Sequence, residues 1–376
     1  MLINSLRTSF HCFLDLQRTF SFTRPFQKKI FNLSLSVATA SAKMESQPPC
    51  LLVLNGKSAS EQELAKSLKE NSCLRLADDV KLLTFLQPEM ERQLEEDEFN
   101  IDTYMGSLMT TCFGRILLWS PRLPSTQDVV SLNYCEIPVG SVCIADVQFK
   151  GRGRSQNVWE SPKGGLLFSF TIQMEDGRVV PLVQYIVCLA MTEAIKDLAL
   201  LNGIPPLDVR IKWPNDLYLD GLKVGGILCT STYRSKKFNV SAGVGLNVDN
   251  DKPTTSLNAA LRKLTSGYRL RREDIASAFF NKFEYLFHIL INQGFQPLEE
   301  LYYKAWLHSG QRIVVQEKNE DQDLLIENVV TVQGLTPSGY LLAIADSGEM
   351  CELHPDGNRE IMDYLICGRF ASDNSL

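Results

Sequence analysis

The feature that most limits how this chain can fold is a pair of short apolar runs, residues 142–147 and 166–172, held apart by Gly151-Arg152-Gly153-Arg154-Ser155-Gln156-Asn157-Val158-Trp159-Glu160-Ser161-Pro162-Lys163-Gly164-Gly165. Runs of this length, bounded by glycine and proline, read as strands, so the polar stretch is a long loop anchored in a sheet at both ends. Gly151 and Gly153 let the backbone approach a ligand closely and adopt positive φ. Arg152 and Arg154 are permanently charged forks that fit a carboxylate or a phosphate. Trp159 offers a flat apolar face for a ring. Such a loop suits an anion joined to an aromatic group. Gly-Arg repeats alone are common in solvated loops and RNA-contacting tails; the strands on either side and the second glycine pair set this one apart.

Composition narrows the classes. The full chain of 376 residues has room for two or three domains. No apolar run approaches the ~20 residues that span a bilayer as a helix. The ten cysteines form no CxxC pair, and His11, His288, His308 and His354 have no ligand spacing. Reduced thiols and no structural zinc are the expectation. Residues 1–43 differ from the rest: Arg7, Arg18, Arg24, Lys28, Lys29 and Lys43 stand against one acid, Asp15, amid many serines and phenylalanines. That is the composition of an organellar transit peptide. Met44 follows directly, so a second start there would give a cytosolic form. Without the first 43 residues the formal charge is about −11, which argues against general nucleic-acid binding.

Taken in order, Gln47-Pro48-Pro49 is a linker, residues 51–54 a strand, and Ser60-Glu61-Gln62-Glu63 a helix start with a capping signature running to about Glu70. Residues 80–86 form a second strand, and 88–100, with Glu95-Glu96-Asp97-Glu98, an exposed acidic helix or linker. None of these positions offers the basic recognition helix that a DNA reader needs. Residues 115–119 are a strand, and Ser125-Thr126-Gln127-Asp128 caps a helix to about Tyr134. Gln148 is the last polar side chain before the glycine-arginine loop. Pro181 opens a buried helix to about Leu201. A strand over 208–213 leads into Lys212-Trp213-Pro214-Asn215-Asp216; Asp220-Gly221 turns a hairpin that returns through Lys223-Val224-Gly225-Gly226. Residues 240–248 are a glycine-broken strand, where backbone meets ligand. An amphipathic helix over 272–290 precedes short strands at 312–316, 324–332, 340–345 and 350–353, the pattern of a small β-barrel.

The order Ser125-Thr126-Gln127, Gln148, Gly151-Arg152-Gly153-Arg154, Trp159, Lys212-Trp213-Pro214-Asn215-Asp216, Lys223-Val224-Gly225-Gly226 and Gly243-Val244-Gly245-Leu246-Asn247 resembles the biotin protein ligases, or holocarboxylase synthetases. The likeness spans roughly residues 117–353, and the transit-like front end resembles a plant-type member. It implies an α+β fold: a mixed-sheet catalytic domain of the biotin/lipoate ligase type at 103–308 and a small SH3-like β-barrel at 309–376. A small α/β appendage and linker at 44–102 and a transit peptide at 1–43 complete the layout. The implied activity makes biotinyl-5′-AMP from biotin and ATP, with Mg²⁺, then transfers biotin to a lysine of a carboxylase carrier domain.

By the same resemblance, Ser125, Thr126, Gln127 and Gln148 hold biotin, with Gly153, Gly225 and Gly226 beside it. Arg152 and Arg154 grip carboxylate and phosphate oxygens, and Lys223 stabilises the reacting centre. Trp159, Lys212, Asn215, Asp216 and Asn247 belong with the nucleotide, Asn247 at a position that reads adenine; Asn215 and Asp216 either organise Mg²⁺ or orient Lys223. Biotin, ATP and carrier domains are the implied partners, with no DNA and no membrane. Chloroplast or mitochondrion is the implied destination. Two departures stand out. Residues 44–102 lack the look of a winged helix, and Ser155-Gln156 occupies positions that bacterial relatives often fill with basic residues or glycine. The competing readings are a lipoate ligase or octanoyl transferase on the same scaffold, and a non-catalytic biotin- or RNA-binding regulator.

Overall fold

The computed structural model describes residues 50–76, 80–84, 98–154, 157–319, 324–354 and 359–362. The transit-like segment, Met44, the linker at 47–49, residues 88–97 of the acidic stretch at 88–100, and Ser155-Gln156 lie outside the described residues. The rest belongs to one unit, Pro48–Leu376. Its elements run β1 (Cys50–Gly56), α1 (Ala59–Glu70), β2 (Val80–Thr84), α2 (Ile101–Ser107), β3 (Ile116–Leu123), α3 (Thr126–Leu132), β4 (Val142–Gln148), β5 (Gly165–Met174) and α4 (Val183–Leu201). Then come β6 (Arg210–Lys212), β7 (Asp216–Leu219), β8 (Leu222–Arg234), β9 (Lys237–Asn247), α5 (Leu257–Leu264), α6 (Arg272–Gln293) and α7 (Gln296–Ala305). Five strands follow: β10 (Arg312–Asn319), β11 (Leu324–Leu335), β12 (Leu341–Ala345), β13 (Met350–Leu353) and β14 (Arg359–Met362).

Nine strands form one mixed sheet in the order β2-β1-β3-β4-β5-β9-β8-β7-β6. β1 pairs with β2, and β3 with β4, in parallel; the other neighbours are antiparallel. β2 and β1, from the stretch expected as a small α/β appendage, therefore form one edge of this same sheet. Side-chain alternation gives the sheet two buried faces. On one, Val53, Leu117, Trp119, Ile144, Phe168 and Phe170 pack with α4 and the aromatic stripe of α6, Phe279, Phe280 and Phe283. On the other, Leu52, Leu54, Leu118, Cys143 and Ala145 pack with Ala65 and Leu68 of α1 and Val129 and Val130 of α3.

Local signals explain the element ends. The α1 capping box is Ser58 with Glu61, two residues earlier than the Ser60 start read from sequence: Glu61 N–H donates to Ser58 Oγ (3.3 Å) and Ser58 N–H to Glu61 Oε2 (2.7 Å). The β7–β8 hairpin turns at Asp220 and Gly221, both with positive φ (50° and 75°). The five C-terminal strands form an antiparallel sheet, β13-β12-β11-β10-β14. Its Ile313, Val330, Val332, Leu341 and Ala343 continue the large core. Trp213, from the Lys-Trp-Pro-Asn-Asp run, ties the two sheets together: its indole N–H donates to Tyr185 Oη (2.9 Å), Tyr185 donates to Gly339 O, and His308 Nε2 accepts from Trp213 N–H (3.0 Å).

Candidate active site

The floor of the site is the face of β9 turned away from the core. Val240, Ala242, Val244 and Leu246 enter the large core, so Ser241, Gly243, Gly245 and Asn247 point the other way. β5 and β8 flank this strand, pairing Ser169 with Gly243 and Gly226 with Gly245. Glycine is needed here because side chains crowd the floor: a Cβ on Gly245 would sit 2.5 Å from the Trp159 indole Cε2, and one on Gly243 2.7 Å from Gln127 Oε1.

The glycine-arginine loop over this floor is a narrow ribbon. Gly153 N–H donates to Asn157 O (2.7 Å) and Trp159 N–H to Gly151 O (3.0 Å), with bridges between Arg152 and Val158 and between Gln148 and Ser161. Glycine permits positive φ at Gly151 and Gly153, but neither adopts it. It occurs instead at Gly164 (+93°); Gly151 is required for space, since a Cβ there would lie 2.5 Å from Trp159 O. Arg152 pairs with Asp128 of α3, and Arg154 donates to Asn215 Oδ1 (3.1 Å).

Polar groups converge at the start of α3. Ser125 caps the helix, accepting from Asp128 N–H (3.4 Å). Thr126 donates its N–H and its hydroxyl to Gln148 Oε1 (2.8 and 3.0 Å), and its hydroxyl meets Ser169 Oγ at 2.9 Å. Gln148 donates to Ser161 Oγ (3.1 Å), and Gln127 donates to Thr230 Oγ1 (3.1 Å) and Ser241 O (3.2 Å). Gln127 Oε1 and Trp159 Nε1 are buried with no hydrogen-bond partner among the described residues. Such an acceptor and donor cost free energy unless a ligand completes them.

A second cluster carries charge. Lys223 Nζ is 2.7 Å from Asp216 Oδ1 and 5.4 Å above the Trp159 ring. Asn215 donates to Ile227 O (2.6 Å), which fixes its carbonyl toward Arg154. Both clusters line one cavity of about 530 Å³, together with Gly153 and Gly226. Of the residues singled out from sequence, Ser125, Thr126, Gln127, Gln148, Arg152, Gly153, Arg154, Trp159, Asn215, Asp216, Lys223 and Gly226 line it; Lys212, Gly225 and Asn247 do not. Lys212 lies 5.5 Å over the Tyr218 ring, Gly225 is inside the sheet opposite Leu246, and Asn247 donates to Thr254 Oγ1 (3.3 Å). Among the described residues no three His, Cys, Asp or Glu side chains gather as a metal cage.

Residues 119–247 match the Biotin/lipoate A/B protein ligase family. Biotin–protein ligase 1, chloroplastic, of Arabidopsis thaliana is 59% identical to this chain over 327 residues, covering 86% of this chain and 89% of that protein. The chain belongs to the biotin–protein ligase family. Biotin–protein ligase 2 of the same plant is 60% identical over 318 residues, covering 84% of this chain and 96% of that protein. A mutant biotin protein ligase from Aquifex aeolicus, solved in complex with biotin, shares the fold with a TM-score of 0.50 at 23% identity, covering 65% of this chain and 97% of that one.

In this biotin–protein ligase the matched span runs from Trp119 in β3 to Asn247 at the end of β9, and every lining residue but Pro253 falls within it. Ser169, Asp128 and Thr230 complete the polar network, and motif reading missed all three. Ser169 had a signal: strand alternation in β5 sends it to the face opposite Phe168 and Phe170. Asp128 was legible only as part of the helix cap and Thr230 had no signal, because only the folded chain brings them to Arg152 and Gln127.

Proposed function

We propose that the cavity binds biotin at the α3 end and ATP at the Lys223 end, and joins them. The observation that carries this reading is the convergence of Arg152, Arg154 and Lys223 on one cavity with the Thr126–Gln148–Ser169 network. A carboxylate beside an α-phosphate concentrates negative charge, and fixed cations lower that barrier most. In the first step a biotin carboxylate oxygen attacks the α-phosphorus, the bond to pyrophosphate breaks, and biotinyl-5′-AMP forms. In the second, a deprotonated lysine amine attacks the acyl carbon, the bond to the phosphate oxygen breaks, and AMP leaves.

Ser125, Thr126, Gln127 and Gln148 take the polar head of biotin, with the buried Gln127 Oε1 as a ready acceptor. Trp159 packs against the nucleotide with its indole N–H available. Asp216 orients Lys223, an assignment supported by their 2.7 Å contact. Asp216, whose carboxylate is a hard oxygen donor beside Lys223, would help hold Mg²⁺ brought by ATP, and the ion would supply charge neutralisation at the phosphates. Asn247 reaches adenine only if it exchanges its bond to Thr254 for one to the base. Lys212 and Gly225 then serve the frame around the site. The paired arginines and Lys223 exceed what simple biotin capture needs, which weighs against a non-catalytic regulator. The two plant ligases of 59% and 60% identity weigh against lipoate.

The test is incubation of the chain with biotin, ATP, Mg²⁺ and a carboxylase carrier domain. A carrier that gains the mass of one biotinyl group supports the reading, and one that gains it from lipoate instead overturns it. The chloroplastic relative and the basic, serine-rich front end support import into chloroplasts; mitochondrial import and a cytosolic form from Met44 are further destinations of the same kind. A fluorescent fusion of the full chain is expected in chloroplasts, and one starting at Met44 in the cytosol; identical distributions would remove the targeting role.

A further inference from the structure

α3 presents Thr126 and Gln127 to the cavity, yet it has only seven residues. An isolated helix is marginal below about 12–15 residues, so the position of α3 is set by what holds its two ends. Its first turn is bonded to the sheet through Gln148, Ser169 and Ser241. Its last turn is held from outside the span matched to the family. Asn133, the C-cap and fully buried, accepts from Arg75 N–H (2.5 Å) and donates to Arg75 O (3.0 Å) and Val129 O (2.8 Å). One side-chain amide thus pairs with both backbone groups of Arg75, as a strand neighbour would. Beside it, Val129 and Val130 share a core with Leu52, Leu54 and Leu68 of β1 and α1.

We propose that Asn133 is a positioning residue for biotin, and that through it the N-terminal β1–α1 segment holds α3 in register with the sheet. Asn133 touches no substrate. Loosening its clasp lets the short helix shift, and the bonds from Gln127 to Ser241 and from Thr126 to Gln148 lengthen with it. Asp216 and Lys223 stand on β7 and β8, which α3 does not carry; the one charged link from α3 to the reacting groups, Asp128 with Arg152, is an exposed pair worth little in water, so the chemical step changes little. The inference rests on the reading that Thr126 and Gln127 meet biotin. It also gives the segment at 50–76 a task in the catalytic cycle: it sets substrate affinity.

The experiment varies biotin and ATP separately in steady-state biotinylation of a carrier domain by the full chain, with a thermal midpoint for each protein. Asn133→Ala is expected to raise the KM for biotin about tenfold while kcat and the KM for ATP stay within about twofold, the pattern of lost uniform binding. Arg75→Pro removes one backbone donor and leaves Asn133 intact; it is expected to move the biotin KM in the same direction by less. If Asn133→Ala does not fold, Arg75→Pro decides by the same constants. An unchanged biotin KM in a folded variant overturns the proposal, as does a parallel loss in kcat and both KM values that tracks the thermal midpoint. Thr126→Val separates the two readings. If it raises the biotin KM while the Asn133 and Arg75 variants do not, only the positioning role fails; if it has no effect, the underlying assignment of the biotin end fails.

Discussion

Lys223 concentrates the residue-scale argument. Its ammonium is held by Asp216 at 2.7 Å and lies over the Trp159 ring at 5.4 Å, so it is oriented before any substrate arrives. A preorganised cation loses no reorganisation energy when charge builds up in the transition state. Lys223→Ala is expected to slow biotin-dependent pyrophosphate exchange by roughly 10²–10³, with the fold intact by circular dichroism. The identity of this lysine was legible in sequence only through its place in an ordered set of motifs. Its pairing with Asp216 across the Asp220-Gly221 hairpin was one of two roles offered there for that carboxylate; the 2.7 Å distance came only with the folded chain. The same holds for Arg152: its guanidinium was plain in the loop, whereas its partner Asp128 belongs to another element.

At the scale of elements, the junction of β4 and α6 shows how a buried charge pair frames the site. Asp146 and Arg272 meet at 2.5 Å with almost no exposure, and Asp146 also accepts from Phe99 N–H and Trp119 Nε1 (both 3.1 Å). Burial pushes the Asp146 carboxyl up to about 6, although Arg272 draws it back toward the ionised form. A carboxyl raised in the folded state contributes stability that is fully present below the ordinary aspartate value. That contribution is lost as pH rises through about 6. Replacing Arg272 by Met leaves the anion without its cation. The variant is expected to lose about 3–5 kcal/mol at pH 8, and less at pH 5, where the carboxyl takes a proton. Urea unfolding at the two pH values measures the difference. Sequence alternation and capping had located most strands and helices near this junction, since those signals are local. The pairing of Asp146 with Arg272, 126 residues apart, had no local signal.

Across the whole molecule, the catalytic sheet and the C-terminal sheet share one core, and Trp213 and Tyr185 stitch them at the Gly339 turn. Tyr185→Phe removes the hydroxyl that accepts from Trp213 and donates to Gly339. It is expected to lower stability by about 1–3 kcal/mol, read as a drop in thermal midpoint, with the biotin KM unchanged. Trp213 lies inside the run whose neighbours the sequence assigns to the nucleotide, and its indole ties the two sheets together. What the sequence alone determined was the chemistry on offer: two arginines in a glycine loop, a lysine past a hairpin turn, hydroxyls and amides before a short helix, all in one order along the chain. Order and periodicity are properties of neighbours, and neighbours are what a sequence prints. What only the tertiary structure decided was which of those groups meet. β5, β8 and β9 bring residues 125 to 245 around one cavity and turn Asn247 aside to Thr254, while Asn133 fastens α3 to Arg75. The reason is physical: a hydrogen bond or an ion pair depends on distances of a few ångströms, and across a sheet those distances follow strand order, which no local pattern encodes.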